Sequence, residues 1–217
     1  MNEKVGLGLT TASEASFETF FVGENELALN RVCQGERVWL FGERATGKSH
    51  ILRSLEKETS CARYVAKQPP DLDEVLVSPL LLIDDIDQLC GDEENEYALF
   101  AVYEATDFAK TRWVVSAHSA PHEVSFRYRD LASRMSLFER VELLPVPESA
   151  RASLLKFWAN DRAFGISDEV IQFLLDRIPR TQASLWDTLQ KLDRSSLLEN
   201  RTLTIPFVRE VMGFDKS

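Results

Sequence analysis

Eight residues, "GERATGKS" at positions 42 to 49, have the types and the spacing that grip phosphate. Glycines at 42 and 47 let the backbone turn so that successive N–H groups point at phosphate oxygens. The N-terminus of a helix that follows adds about half a positive charge. Lys48 is placed to reach the outer phosphates of a nucleotide, and the Ser49 hydroxyl to ligate Mg2+. The candidate cofactor-binding residues here are Gly42, Thr46, Gly47, Lys48, Ser49 and His50, for ADP or ATP with Mg2+. A chain of ordinary composition and this length meets G-x-x-x-x-G-K-[ST] by chance about once in a hundred. Context narrows that further, because the string follows an apolar run and opens a segment of helical period.

Beyond Ser49, "LLLIDD" ends an apolar run on two aspartates, Asp84 and Asp85. A magnesium-holding carboxylate belongs at such a strand end, so Asp84 is the candidate metal ligand, directly or through water. Asp85 is a candidate for polarising an attacking water, with capping of the next helix as the alternative. Seven of the thirteen residues from 84 to 96 are acidic, which reads as a solvated face beside a metal site.

The elements that must position these groups follow from period. "RVWLFG", "ARYVA", "LLLID", "RWVVSAH" and a weaker "RVEL" are short apolar runs, and segments of helical period lie between them. Strands alternating with helices predict a parallel sheet covered on both faces. From Pro147 onward apolar residues recur only at three- and four-residue spacing, with Ser167, Thr181 and Thr204 as candidate N-caps. The fold class is therefore α/β: a phosphate-loop nucleotide domain with a parallel sheet over residues 17–146, then a small all-helical domain over 147–217. "LLPVP" is the expected hinge, and residues 1–16 are an expected flexible tail.

Bulk properties bound the function classes. The 217 residues are 44% hydrophobic, enough for a sizeable core, and no run approaches the roughly 18 apolar residues of a membrane span. No basic-then-apolar signal opens the chain, and its three cysteines form no C-x-x-C pair, so reduced thiols and a cytoplasmic location are expected. The net charge of −10 is uneven: residues 151–217 carry +1 and residues 1–150 carry −11. Duplex DNA is repelled by the acidic part, so DNA contact is expected to be weak or indirect.

Several strings together resemble a known family. "FETFFVGENELAL", "GERATGKSHIL", "LLLIDDIDQL", "WVVSAHSAP", "DLASRMSLF" and "LTIPFVREVMGF" look like the AAA+ ATPases related to the bacterial replication initiator DnaA, in particular the short regulators of the Hda type. The resemblance implies an AAA+ nucleotide domain followed by a helical lid. It puts Lys48 and Ser49 in the phosphate loop, Asp84 and Asp85 at the acidic strand end, Ser116 to His118 in the first sensor region and Arg134 at the arginine finger. Arg127 and Arg129 compete with Arg134 for that part, and His118 stands where such proteins commonly carry Asp. A His118/His122 metal pair is formally possible, but two histidines without carboxylate or thiolate company are seldom a site. The lid arginine of the family falls at Ala183, with Arg180 one helical turn earlier as the candidate replacement. Without that arginine, slow intrinsic ATP hydrolysis and a comfortable fit for ADP are implied.

The chain ends at Ser217 without the helix-turn-helix module that follows in the initiator, so action on another protein is expected rather than origin recognition. The resemblance implies DnaA and the polymerase sliding clamp as partners. Clamp contact would run through "KVGLGL", which begins at Lys4 and closes on Leu9; its apolar residues alternate, although it lacks the usual glutamine. A homo-oligomer is compatible with this reading. An ATPase of the helicase-loader type and an adaptor using nucleotide only structurally are the alternatives.

Overall fold

The computed structural model describes residues 15–65, 69–162 and 164–214. These form two compact units that part between Pro145 and Val146. The candidate clamp peptide at 4–9 lies outside the described residues.

The first unit is built on a five-stranded sheet of order β2-β3-β4-β1-β5, every pair parallel. The strands are β1 (Arg37–Phe41), β2 (Ala62–Val65), β3 (Leu80–Asp84), β4 (Arg112–Ala117) and β5 (Glu139–Glu142), where the five apolar runs place them. Strand β3 is buried at every position, as expected for a parallel strand covered on both faces. Its alternation sends Leu80 and Leu82 to one face, with Ile51, Leu52 and Leu55 of α2 (Lys48–Glu58) and Val32 of α1 (Glu26–Gln34). Leu81 and Ile83 go to the other, where they join Val75 of α3 (Leu72–Leu76), Leu99 and Val102 of α4 (Glu93–Ala109), and Leu131 and Met135 of α5 (Arg129–Met135). Each such aliphatic side chain contributes about 1.5–3 kcal/mol when fully buried.

Helix α4 begins a turn ahead of its apolar period. The Asp92 side chain accepts from Asn95 N at 2.9 Å, and Glu93 and Glu94 in the first turn complement the helix dipole. Residue 16, assigned to the tail by composition, is ordered instead. Ser16 caps a short 3-10 turn at Phe17–Thr19 through a reciprocal pair with Thr19, at 3.3 and 3.0 Å.

The second unit carries α6 (Arg151–Asp161), α7 (Asp168–Leu175), α8 (Gln182–Glu199) and α9 (Ile205–Met212) around a core of Leu155, Ile171, Leu174, Leu185, Leu189 and Phe207. Ser167, Thr181 and Thr204 each accept from the backbone N–H three residues on, which is the N-cap role their residue types predict. Among the described residues no helix is long and apolar enough to cross a membrane.

Candidate functional site

Parallel pairing aligns Phe41 with Ala117 and Ile83 with Val115, so β1, β3 and β4 end together. The segment 42–49, the Asp84–Asp85 pair and Ser116 to His118 leave the sheet at that common edge. In an open α/β sheet this is where ligands bind.

The loop after β1 is held in a shape only its sequence permits. Gly42 has φ +150° and Gly47 φ +104°; a Cβ on the first would lie 2.5 Å from the Leu143 carbonyl oxygen, and on the second 2.5 Å from the Phe20 ring. Ala45, between them, is also left-handed at φ +67°. Thr46 is buried and its hydroxyl donates to Glu43 O at 2.9 Å, closing the turn from inside. Lys48 opens α2, is 6% exposed, and donates to Gly42 O at 2.7 Å and Glu43 O at 2.9 Å. Burial holds the Lys48 ammonium below the usual lysine range, against the opposing pull of Asp85, Asp87 and Asp84. A tight loop with no room for a side chain at Gly42 or Gly47, a buried ammonium and a helix N-terminus fit a nucleotide's phosphates.

Asp84, 3% exposed, is the centre of the acidic side. Its Oδ1 accepts from Ser49 Oγ at 3.1 Å and from Ser116 Oγ at 2.6 Å, while Oδ2 faces Arg63 Nη2 at 3.6 Å. The Ser116 hydroxyl in turn accepts from Asp85 N at 2.9 Å, so Ser116 binds both strand-end aspartates. Ser49 and Asp84 thus offer adjacent oxygens to a Mg2+ ion. Asp85 sits at φ +57° as a helix N-cap position without a side-chain cap bond; its carboxylate accepts from Gln88 Nε2 at 3.3 Å. Burial, then the Asp84 charge, raises the Asp85 carboxyl above the usual range. Asp87 accepts from His118, at 3.2 Å from its backbone N and 3.0 Å from Nδ1.

The other candidates are placed as follows. His50 Nε2 lies 2.8 Å from Ser16 O and 3.2 Å from Thr19 Oγ1, which pins the chain before Phe20 against α2. Arg134 is exposed on α5, beside Glu104 at 3.3 Å and 5.7 Å from the Tyr103 ring centre. Arg127 and Arg129 are exposed as well. In the second unit Arg180 pairs with Glu148, and Gln182, two residues on, accepts from Val146 N at 2.8 Å. Ala183, in the first turn of α8, is half-buried.

The acidic run from 84 to 96 is not a solvated face at its two ends, since Asp84 is 3% and Glu96 0% exposed. Glu96 accepts from Gly91 N at 2.6 Å, Arg127 N at 2.9 Å and Tyr128 N at 2.6 Å. It thereby fixes the approach to α5 and with it the seat of Arg134. Sequence reasoning passed over Glu96 because an acidic neighbourhood hides one buried acid among solvated ones. It passed over Arg63 too, although a cation inside the apolar run "ARYVA" was the available signal.

Residues 148–212 match the family model for the Hda lid domain. Domain III of the replication initiation protein DnaA from Thermotoga maritima has the same fold, with a TM-score of 0.76 at 17% identity over 93% of this chain and 96% of that one. The chain thus shares the fold of DnaA domain III and carries, over residues 148–212, a segment that matches the Hda lid. A Haemophilus influenzae protein described only as uncharacterized is 28% identical over 230 residues, spanning 98% of this chain and 100% of its own length. AMPPCP-bound DnaA from Aquifex aeolicus shares the fold at a TM-score of 0.68 and 18% identity, over 86% of this chain and 67% of that one. The branch migration motor RuvB of Thermotoga maritima does so at 0.64 and 19% identity, over 92% of this chain and 72% of its own length. The architecture expected from the sequence, a parallel-sheet α/β unit followed by an all-helical one, is therefore the one observed, and it is the AAA+ fold that the solved relatives share.

Proposed function

We propose that this protein is an adenine-nucleotide-binding regulator of chromosome replication initiation, which acts on the initiator DnaA together with the polymerase sliding clamp. The observation that carries the reading is the convergence of a buried Lys48 in its glycine loop with the Ser49–Asp84–Ser116 network, on a chain that also bears an Hda lid. Gly42, Thr46, Gly47 and Lys48 would hold the phosphates of ADP or ATP, and Ser49 with Asp84 the Mg2+ ion. Mg2+, when bound, would neutralise phosphate charge. Asp85 would orient water beside it.

Arg134 is the group offered outward. A guanidinium presents a permanently charged fork that suits phosphate oxygens. Delivered to ATP on a partner, such a finger accelerates hydrolysis by roughly 10³–10⁵. Its exposure on α5 supports delivery to a neighbouring subunit, and we place that ATP on the initiator. The chain's own site is read as holding ADP, because the expected lid arginine is replaced by Ala183 and Arg180 is occupied by Glu148. The peptide at 4–9 is proposed as the clamp contact, in a cytoplasmic setting.

Calorimetry with ADP and the Lys48→Ala variant tests the nucleotide site: wild type should bind and the variant should show no heat of binding, with an unchanged thermal melt. Unaltered affinity in the variant would move the site elsewhere. Turnover of initiator-bound ATP with clamp on DNA tests the regulatory part, since Arg134→Ala should lose most of the stimulation. Multiple-turnover hydrolysis by the isolated chain would favour the helicase-loader reading instead.

A further inference from the structure

Arg63 has no part in the reading so far, yet it reaches the centre of the site. It stands on β2, where Arg63 pairs with Leu82 and the nearby Val65 with Asp84. Its side chain is 18% exposed and spans two carboxylates: Nη2 lies 3.6 Å from Asp84 Oδ2 and Nη1 3.4 Å from Glu56 Oε2 on α2. Its Nε is buried and meets no acceptor. A buried donor without a partner is a cost that a purely structural ion pair has no reason to carry. The guanidinium is placed for its charge at Asp84 rather than for its full set of hydrogen bonds.

We propose that Arg63 is a built-in counter-cation for Asp84 that makes nucleotide binding by this chain nearly independent of Mg2+. Asp84 is already engaged by the chain's own groups, with Ser49 and Ser116 donating to Oδ1 and Arg63 facing Oδ2. Ser49 and Asp84 would hold a divalent cation only by giving up their mutual hydrogen bond, and the Arg63 charge would stand across the same carboxylate. In a poorly hydrated site that repulsion is weakly screened. Removal of the ion would leave Asp84 neutralised by Arg63. Arg63 is thus a positioning residue that sets the metal requirement of the site, through Asp84 and without touching nucleotide. The inference rests on the proposed nucleotide site and deepens it: a chain that retains ADP when Mg2+ leaves is suited to holding nucleotide as a state rather than consuming it.

The test is calorimetric titration of the full chain with ADP, in excess Mg2+ and in EDTA, for wild type, Arg63→Gln and Arg63→Lys. Wild type should gain less than about threefold in affinity from Mg2+, and Arg63→Gln at least about tenfold. Arg63→Lys, which keeps the charge, should remain near wild type. A fold defect alone would lower affinity in both buffers equally and would not change this ratio; thermal melts check the variants. A tenfold or larger Mg2+ gain in wild type overturns the proposal without any variant, and so does an Arg63→Gln ratio equal to that of wild type. Both results leave ADP binding itself standing. Absence of ADP binding by wild type in either buffer overturns the nucleotide reading, and this inference with it.

Discussion

Two buried carboxylates on either side of the same acidic run, Asp84 and Glu96, are satisfied in opposite ways. Glu96 is closed by backbone, with the N–H groups of Gly91, Arg127 and Tyr128 all donating to it. Asp84 is held by side chains alone: two hydroxyls and a guanidinium. Backbone donors cannot leave without unfolding a turn, so the Glu96 site is permanent architecture. Hydroxyls rotate, so the Ser49 and Ser116 contacts of Asp84 can be exchanged while Arg63 stays as its counter-charge. The lesson is that burial of a charge does not by itself mark function; what marks it is whether its partners can let go.

The sharpest way to break the comparison is to remove Glu96. Glu96→Ala leaves three part-buried N–H donors without an acceptor, each costing about 1 kcal/mol, so urea unfolding should show a loss of roughly 3 kcal/mol. ADP affinity of the folded fraction should persist, because the phosphate loop lies elsewhere on the sheet. A loss below about 1 kcal/mol would mean water replaces the carboxylate and the contrast fails.

A smaller effect is expected from Asp84→Asn. It keeps an oxygen for the two hydroxyls and removes the charge opposite Arg63, so stability should fall by about 1–2 kcal/mol while any effect of Mg2+ on ADP binding disappears. Stability falling as far as in Glu96→Ala would make Asp84 a structural acid like Glu96.

The smallest change in stability belongs to Arg134→Ala. Arg134 and Glu104 are 45% and 48% exposed, so their 3.3 Å pair contributes at most about 0.5–1 kcal/mol after solvent screening. A melt displaced by much more than that would show that Arg134 is held by the fold and is not free to serve a partner.

Much of this was legible in the chain itself. The glycine loop, the lysine and the two strand-end aspartates were readable because each is a local pattern, and the three helix caps likewise, since a cap bonds only three residues away. The solvated reading of residues 84–96 failed at both ends for the complementary reason. Glu96 finds Arg127 and Tyr128 at separations of 31 and 32 residues, and Asp84 finds Ser116 at 32. Nothing within the run distinguishes those two acids from their solvated neighbours.

What the sequence by itself determined is everything that repeats or bonds at short range: the alternation that makes the strands, the three- and four-residue period of the lid, the turn that only Gly42 and Gly47 allow. Only the tertiary structure decided which charges meet. Arg63, Glu56 and Asp84 come from three elements, and their approach depends on parallel pairing of β2 with β3 and on α2 packing across that pair. Pairing of charges across a sheet depends on register, a property of the assembled strands that no single segment contains.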